Sequence, residues 1–103
     1  MSEKNQKIQE LQILEQNLQN LILQKQAFSM ELSETIAAKK EIERSGDEVF
    51  KIIGQLMIKT EKEKIKEELS NKEKIIELRI KSIEKQEKSF EEKTASLRKE
   101  VFG

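Results

Sequence analysis

The sequence predicts a mainly α-helical protein in which two long helices, joined by one β-hairpin, pack together as an antiparallel coiled coil. Three observations lead to this prediction. Apolar residues recur every three or four positions in both halves of the chain, a short stretch between the halves is densely apolar around one glycine, and proline is absent. Because 103 residues are enough for one domain, we expect residues 1–103 to form a single domain.

The first predicted helix covers residues 6–44. Its apolar residues repeat at a period close to 3.5, which is typical of a coiled-coil helix. They are Ile8, Leu11, Leu14, Leu18, Leu21, Ile22, Phe28, Leu32, Ile36 and Ile42. Gly46 follows the last of them and suits the left-handed conformation that often ends a helix.

The second predicted helix covers residues 61–101. An apolar residue occupies every seventh position, at Leu69, Ile76, Ile83, Phe90 and Leu97. Thr60 and Glu63 have the spacing of a capping box, with Thr60 as the N-cap. Glutamate and lysine four residues apart, as at Glu68 and Lys72, predict ion pairs along the helix surface.

Four charged residues, Lys25, Lys39, Lys72 and Arg79, interrupt the two apolar stripes. Two interpretations stay open for them. Their long side chains can lie along the helix–helix interface with the charge in water, or they can loosen the helix pair and allow it to flex.

A β-hairpin is predicted at residues 48–60, with strands at 48–53 and 56–60. Seven of the ten residues from Val49 to Ile58 are apolar, and Gly54 suits the first central position of a two-residue type II′ turn. A single helix running through Gly54 is the alternative. It fits badly because the apolar residues here are nearly continuous rather than periodic.

The apolar hairpin is predicted to be an assembly surface. A two-stranded hairpin alone is marginally stable in water and has two open edges, while the helices of this chain are expected to cover each other. We therefore expect the hairpin to pair with hairpins of other subunits; packing against its own helices is the alternative. The predicted oligomer interface consists of Val49, Phe50, Ile52, Ile53, Gly54, Leu56, Met57 and Ile58.

Composition argues against several other functions. The chain has no cysteine or histidine, which removes disulfides, Cys/His zinc sites, thiol nucleophiles and histidine bases. We expect no enzyme activity, no catalytic residue, no metal and no cofactor. Neighbouring carboxylates at Glu67–Glu68 and Glu91–Glu92 are expected to be ordinary exposed surface, because a two-helix protein offers no pocket that would perturb them.

The charge pattern also bears on partners and location. Lysine and arginine total 20, aspartate and glutamate total 20, and the two signs are interleaved, so no basic patch for nucleic acid is expected. No apolar run approaches the length of a membrane span. We expect no nucleic-acid or membrane partner and a cytoplasmic location.

The order of helix, apolar hairpin and helix resembles the prefoldin family, and specifically its β class of subunit. The stretches that carry the resemblance are Glu48-Val49-Phe50-Lys51-Ile52-Ile53-Gly54 and Leu56-Met57-Ile58-Lys59-Thr60, supported by residues 67–87 and by the glutamine-rich first helix. A single hairpin points to the β class, because the α class carries two. The segment after Phe102 is short beside many family members.

The resemblance implies an ATP-independent cytosolic chaperone. Prefoldin hexamers contain two α and four β subunits, whose hairpins form a β-barrel platform from which coiled coils project. The resemblance therefore implies an α-class subunit and further β copies as partners. It also implies unfolded client proteins, held at the tips of the coiled coils, and a group II chaperonin that receives them.

The predicted client-binding residues lie where both helices end, because helix ends fray and open most easily. These residues are Ile8, Leu11, Ile13, Leu14, Phe90, Leu97, Val101 and Phe102. Ile13 and Phe102 lie outside the main stripe and are expected to be exposed even when the helices are paired. The alternative function is a structural coiled-coil scaffold or tether that oligomerises through the hairpin without binding clients.

Overall fold

The computed structural model describes residues 2–103 and contains two long helices joined by one antiparallel hairpin. Helix α1 (Glu3–Arg44) is followed by strands β1 (Glu48–Ile53) and β2 (Leu56–Glu61) and then by helix α2 (Lys62–Phe102). The predicted order of elements is confirmed. The chain divides into two compact units: unit 1 comprises Met1–Phe28 and Arg79–Gly103, and unit 2 comprises Ser29–Leu78.

Helix α1 begins three residues earlier than predicted, because Ser2 caps it. The Asn5 backbone N–H donates to Ser2 Oγ at 3.1 Å, and the Gln6 N–H donates to the Ser2 carbonyl at 3.1 Å. A serine that accepts from the N–H three residues ahead satisfies one of the free donors of the first turn. The helix therefore starts before its first periodic apolar residue.

The expected left-handed cap at Gly46 is wrong. Among the described residues, positive φ is confined to Gly54 and Gly103. Polar side chains satisfy carbonyls at the end of α1 instead. The Ser45 hydroxyl donates to the Ile42 carbonyl at 2.8 Å, and Lys62 Nζ donates to the Glu43 carbonyl at 3.5 Å and to the carbonyl of Ser45, just beyond the helix, at 2.9 Å. The first residue of α2 thus helps to close the end of α1.

The predicted capping box at Thr60 is also wrong. Thr60 lies in β2 and pairs with Val49, and the ladder continues to one more pair, Glu48 with Glu61. A β-branched threonine is well suited to a strand, and here cross-strand pairing takes precedence over the helix cap. Helix α2 consequently begins at Lys62.

Within unit 1, α1 and α2 pack antiparallel. Lys7, near the start of α1, pairs with Glu100, near the end of α2, whereas Lys25 pairs with Glu84 and Glu87. The buried and half-buried positions alternate by three and four residues on each helix, which is coiled-coil spacing. We call these rows the seam. Its members in unit 1 are Lys7, Leu11, Leu14, Leu18, Leu21, Lys25 and Phe28 on α1, and Ile80, Ile83, Glu87, Phe90, Thr94, Leu97 and Val101 on α2.

Within unit 2 the same helices pair antiparallel beside the hairpin. Glu31 pairs with Lys72, and Glu43 pairs with Lys66. The seam members here are Leu32, Thr35, Lys39 and Ile42 on α1, and Lys62, Lys66, Leu69, Glu73 and Ile76 on α2. Thr35 is buried, and its hydroxyl is hydrogen-bonded: Oγ1 donates to the Glu31 carbonyl at 2.8 Å.

Two of the four charged residues placed in the apolar stripes do lie in the seam, and each meets a glutamate. Lys25 Nζ lies 3.2 Å from Glu87 Oε1, and Lys39 Nζ lies 2.6 Å from Glu73 Oε2. Both glutamates occupy seam positions themselves. In each unit the seam therefore contains one Lys–Glu pair in which both partners are seam residues.

The other two charged residues lie outside the seam, so their predicted placement is wrong. Lys72 is exposed and lies 3.6 Å from Glu31 Oε1 on the other helix. Arg79 is exposed with its guanidinium carbon 5.6 Å from the centre of the Phe28 ring, a cation–π distance. The expected Glu68–Lys72 ion pair is absent from the described residues, because Glu68 pairs with Lys51 of β1.

Candidate functional site

The hairpin turn consists of Gly54 and Gln55. Gly54 has φ +59°, whereas Gln55 has no positive φ, which is the pattern of a type II′ turn. The turn sets the register, so that Ile53 pairs with Leu56, and the remaining pairs follow along the ladder. The sign of φ explains why glycine stands at this position, since other residues adopt it at a cost.

The hairpin exposes most of its apolar side chains. Ile52 is 70% exposed and Met57 is 68% exposed, although large apolar residues are usually buried. The exposed apolar residues of the hairpin are Phe50, Ile52, Ile53, Leu56, Met57 and Ile58. Val49 differs, because it is only 7% exposed; it is already covered within this chain and is not available to another subunit.

Both faces of the hairpin carry apolar groups, because directly opposed residues share a face. One face has the pairs Val49–Thr60, Lys51–Ile58 and Ile53–Leu56, and the other has Glu48–Glu61, Phe50–Lys59 and Ile52–Met57. The second face combines three exposed apolar side chains with charges near the base of the hairpin. Lys59 Nζ lies 3.9 Å from Glu48 Oε1 and reduces the repulsion between the two opposed glutamates.

The hairpin also has two open edges, because the sheet has two strands within residues 2–103. In a hairpin with a two-residue turn, Ile53 and Leu56 exchange backbone hydrogen bonds, and bonded and non-bonded pairs then alternate. The backbone groups of Phe50, Ile52 and Met57 therefore point outward along the edges. Such groups are a template for pairing with strands of another chain.

A groove separates the hairpin from the helices in unit 2. It has a volume of about 820 Å³, and apolar side chains of both helices and both strands line it, among them Ile42, Val49, Ile65 and Met57. Lys51 Nζ lies 3.0 Å from Glu68 Oε2 and connects β1 to α2 across this region. The alternative prediction was a hairpin packed onto its own helices. It agrees with the contacts of Val49 and Lys51 but not with the exposed apolar side chains of the hairpin.

The predicted client-binding residues all belong to unit 1 and differ in exposure. Ile13 is 62% exposed and Phe102 is 71% exposed. Leu11, Leu14 and Val101 are buried in the seam, and Ile8, Phe90 and Leu97 are half-buried. Ile13 and Phe102 are thus well exposed while the helices are paired, and three further side chains are partly exposed. Leu11, Leu14 and Val101 become accessible only if the helices separate.

No arrangement suited to catalysis stands out in the described part of the chain. The carboxylates at Glu67, Glu68, Glu91 and Glu92 are exposed. Across residues 2–103 there is no group of three His, Cys, Asp or Glu side chains that could hold a metal ion. Over the same residues, neither helix contains an apolar stretch long enough to cross a membrane.

The fold and the exposed hairpin together define a class: a two-helix coiled-coil protein that carries one open, apolar β-hairpin. The sequence matches the prefoldin subunit family over residues 5–102. The chain belongs to this family, whose members are chaperones rather than enzymes.

Individual relatives place the chain with the β class. It is 38% identical over 94 residues to prefoldin subunit beta of Thermococcus onnurineus, and the aligned region covers 89% of this chain and 81% of the relative. It is 32% identical over 96 residues to prefoldin subunit beta of Archaeoglobus fulgidus, covering 91% and 83%. The crystal structure of the prefoldin beta subunit from Thermococcus strain KS-1 superposes with a TM-score of 0.90 at 34% identity, over 98% of this chain and 90% of that one.

Sequence reasoning missed the polar residues that organise the structure around the site. Glu73 and Glu87 lie four residues after the apolar positions Leu69 and Ile83, so their seam positions could be found by continuing the heptad count through polar residues. No spacing in the sequence indicates the hydrogen bonds of Lys51 and Lys62. Their partners, Glu68 and the Ser45 carbonyl, are 17 residues away along the chain.

Proposed function

We propose that this chain is a β-class subunit of an ATP-independent holdase chaperone, and that it assembles with other prefoldin subunits through its hairpin. The observation that carries the proposal is the exposed apolar hairpin in a chain of this family. We further propose that both units act together as one prefoldin-like domain, since the same two helices contribute to each.

Assembly through the hairpin is supported by what the hairpin leaves uncovered. Ile52 and Met57 oppose each other on one face, and their backbone groups point to the two edges. A strand from another subunit that paired with either edge would satisfy these groups and cover apolar surface at the same time. In the proposed complex two α-class and four β-class subunits close their hairpins into a barrel.

Client binding is proposed for the part of unit 1 that carries both helix ends. Ile13 and Phe102 offer accessible apolar surface there, and Leu11, Leu14 and Val101 lie in the adjoining seam. Each contact with an unfolded chain is expected to be weak, and several subunits acting together would give useful affinity. Transfer of clients to a group II chaperonin and a cytoplasmic location are part of the proposal and rest on family membership.

The proposal is tested by measuring assembly and protection in the same preparation. The purified chain is mixed with an α-class prefoldin subunit, the mass is determined by light scattering after size exclusion, and aggregation of an unrelated denatured protein is followed without nucleotide. We expect a complex of six subunits that suppresses aggregation. A complex that assembles but does not protect would favour the scaffold alternative, and a chain that stays monomeric with its partner would contradict assembly through the hairpin.

A further inference from the structure

Two ion pairs join the helices at the end of unit 1 that carries both chain termini. Lys7 Nζ lies 3.3 Å from Glu100 Oε2, and Arg98 donates to Glu15 Oε1. A second carboxylate, Glu3, lies 3.5 Å from Lys7 on the same helix. We call the Lys7–Glu100 and Glu15–Arg98 pairs the latch.

The latch residues lie close in sequence to the buried apolar residues at this end of unit 1. Leu11 and Leu14 lie between Lys7 and Glu15 along α1, and Val101 follows Arg98 and Glu100 on α2. All three apolar side chains are buried while the helices are paired. Separating the helices here would break both ion pairs and expose all three side chains.

We propose that the latch regulates access to the client-binding surface: closed, it leaves Ile13 and Phe102 exposed, and open, it adds Leu11, Leu14 and Val101. This inference rests on the client-binding role proposed above. It concerns the regulation of that surface, with unfolded polypeptide as the ligand.

The apolar packing at this end is weak enough for two surface ion pairs to matter. The seam position of Lys7 contributes a charged group where an apolar layer would otherwise lie. Thr94 is buried, and within the described residues its hydroxyl has no hydrogen-bond partner, unlike the hydroxyl of Thr35 in unit 2. A charged group and a hydroxyl group in place of apolar side chains bury less apolar surface, so the closed state is less favourable here than in a fully apolar seam.

A groove beside Thr94 shows where the helices are incompletely packed. It has a volume of about 400 Å³, with Leu18, Ile22 and Ala95 along it and Glu15 and Arg98 at its rim. The Glu15–Arg98 pair thus spans a groove that an apolar side chain of an unfolded protein could enter. Opening the latch would join this groove to the newly exposed Leu14.

The latch is suited to regulation because its strength depends on conditions. The Glu15, Arg98 and Glu100 side chains are well exposed, and exposed ion pairs contribute little each and are screened by salt. The hydrogen bond to Glu100 raises the pKa of Lys7, which agrees with a favourable pair in the closed state. Higher ionic strength is therefore expected to open this end without unfolding the rest of the chain.

The test uses the assembled complex and neutralises one member of each pair. Lys7→Gln and Arg98→Gln should each increase backbone amide exchange over residues 11–18 and 94–101 by about two- to fivefold, the range expected for an exposed ion pair. The matched controls are Lys4→Gln and Lys99→Gln, which remove the same charge from exposed positions on the same helices. They should leave exchange unchanged.

Protection of a denatured client is measured on the same proteins. The latch variants should suppress aggregation at lower concentration than the unmodified complex, and the double variant should lose the salt dependence that the unmodified complex shows. The exchanged pair, Glu15→Arg with Arg98→Glu, should restore the original behaviour.

Two results would overturn the latch. One is unchanged amide exchange in Lys7→Gln and Arg98→Gln, or equal changes in the controls. The other is faster exchange with unchanged protection, which would show that opening does not control client access. A failure of the unmodified complex to protect any client would instead contradict the proposed function, while the exchange measurement would still report on opening.

Discussion

Gly46 and Gly54 allow the effect of backbone conformation to be measured separately from the effect of side-chain contacts. A Cβ added at Gly46 or at Gly54 would meet no atom within 4 Å, but only Gly54 has positive φ. Gly54→Ala should therefore lower the free energy of unfolding by about 1–2 kcal/mol, the cost of a left-handed backbone for other residues.

Gly46→Ala is the matched control for that change. It should leave stability unchanged or raise it by about 0.4–1 kcal/mol, because alanine restricts the unfolded chain. Urea denaturation followed by circular dichroism measures both. Equal losses in the two variants would contradict the type II′ turn.

The Glu43–Lys66 pair in unit 2 predicts a dependence of stability on pH. Glu43 Oε1 lies 2.9 Å from Lys66 Nζ, and the hydrogen bond from Lys66 lowers the pKa of Glu43 below its ordinary value of 4.5. The hydrogen bond with Glu43 likewise raises the pKa of Lys66 above 10.5. The stabilisation from Glu43 is present above pH 4.5 and is lost as the pH falls through its lowered pKa, and that from Lys66 is lost as the pH rises through its raised pKa.

Glu43→Gln should consequently destabilise the protein at pH 7 and make no difference at pH values below the lowered pKa of Glu43. Glu41→Gln is the control, since Glu41 is 77% exposed and its nearest cation, Arg44 Nη1, lies 3.9 Å away. Denaturation at both pH values measures the difference. An effect of Glu43→Gln that persists at acid pH would show that the ion pair is not its cause.

The ion pair between Lys39 and Glu73 of α1 and α2 predicts that substitutions of these two residues have coupled effects on stability. Lys39→Glu places two carboxylates together and should lower the melting temperature, and adding Glu73→Lys should restore it. The coupling free energy should be about 0.5–1 kcal/mol, since both side chains remain partly exposed. Lys40→Glu, on an exposed position beside it, should not be rescued by Glu73→Lys.

The elements themselves were predictable because their signals are local. The 3.5-residue period predicts the helices, and Gly54 between two apolar runs predicts the hairpin and its turn. The helix ends were not predictable in the same way. Thr60 has the sequence of an N-cap but pairs with Val49, and the carbonyls at the end of α1 are satisfied partly by Lys62, which folding brings from the far side of the hairpin.

Only the residue composition of the candidate sites could be predicted from the sequence; which side chains are exposed could not. The apolar run from Val49 to Ile58 is visible in the sequence, but the burial of Val49 depends on the helices beside it. The latch could not be predicted, because Lys7 and Glu100, or Glu15 and Arg98, are more than 80 residues apart along the chain. Only the antiparallel pairing of the helices brings them together.

The exposed hairpin predicts which substitutions prevent assembly of the complex. Ile52→Asp or Ile58→Asp should reduce the complex to smaller species, because a charge buried without a partner at a contact costs roughly 3–5 kcal/mol. The helices should persist by circular dichroism. Leu78→Asp is the control, since Leu78 is exposed on α2 outside the hairpin, and it should leave the mass of the complex unchanged.

Light scattering after size exclusion with an α-class subunit measures the outcome. A six-subunit complex that survives both hairpin substitutions would show that the hairpin is not the interface. Dissociation caused equally by Leu78→Asp would mean that any added charge disrupts the complex.

Removing the chain ends should have the opposite effect: the complex should still assemble, but it should protect clients poorly. Deletion of residues 1–10 and 98–103 leaves the hairpin and unit 2 intact, so the complex should still contain six subunits. Protection of a denatured client should fall sharply, because the exposed Phe102 is lost together with Ile8 and Val101. A shortened complex that protects as well as the complete one would place client binding elsewhere, between the subunits.

The Lys–Glu pairs of the seam have a consequence for the order in which the chain is made. Helix α1 is synthesised before α2 and exposes its apolar stripe to neighbouring nascent chains in the meantime. Two copies of α1 in parallel register would oppose Lys25 to Lys25 and Lys39 to Lys39, whereas α2 supplies Glu87 and Glu73. Like charges facing each other disfavour that pairing, so the seam favours closure of each chain on itself over association between chains on the same messenger RNA.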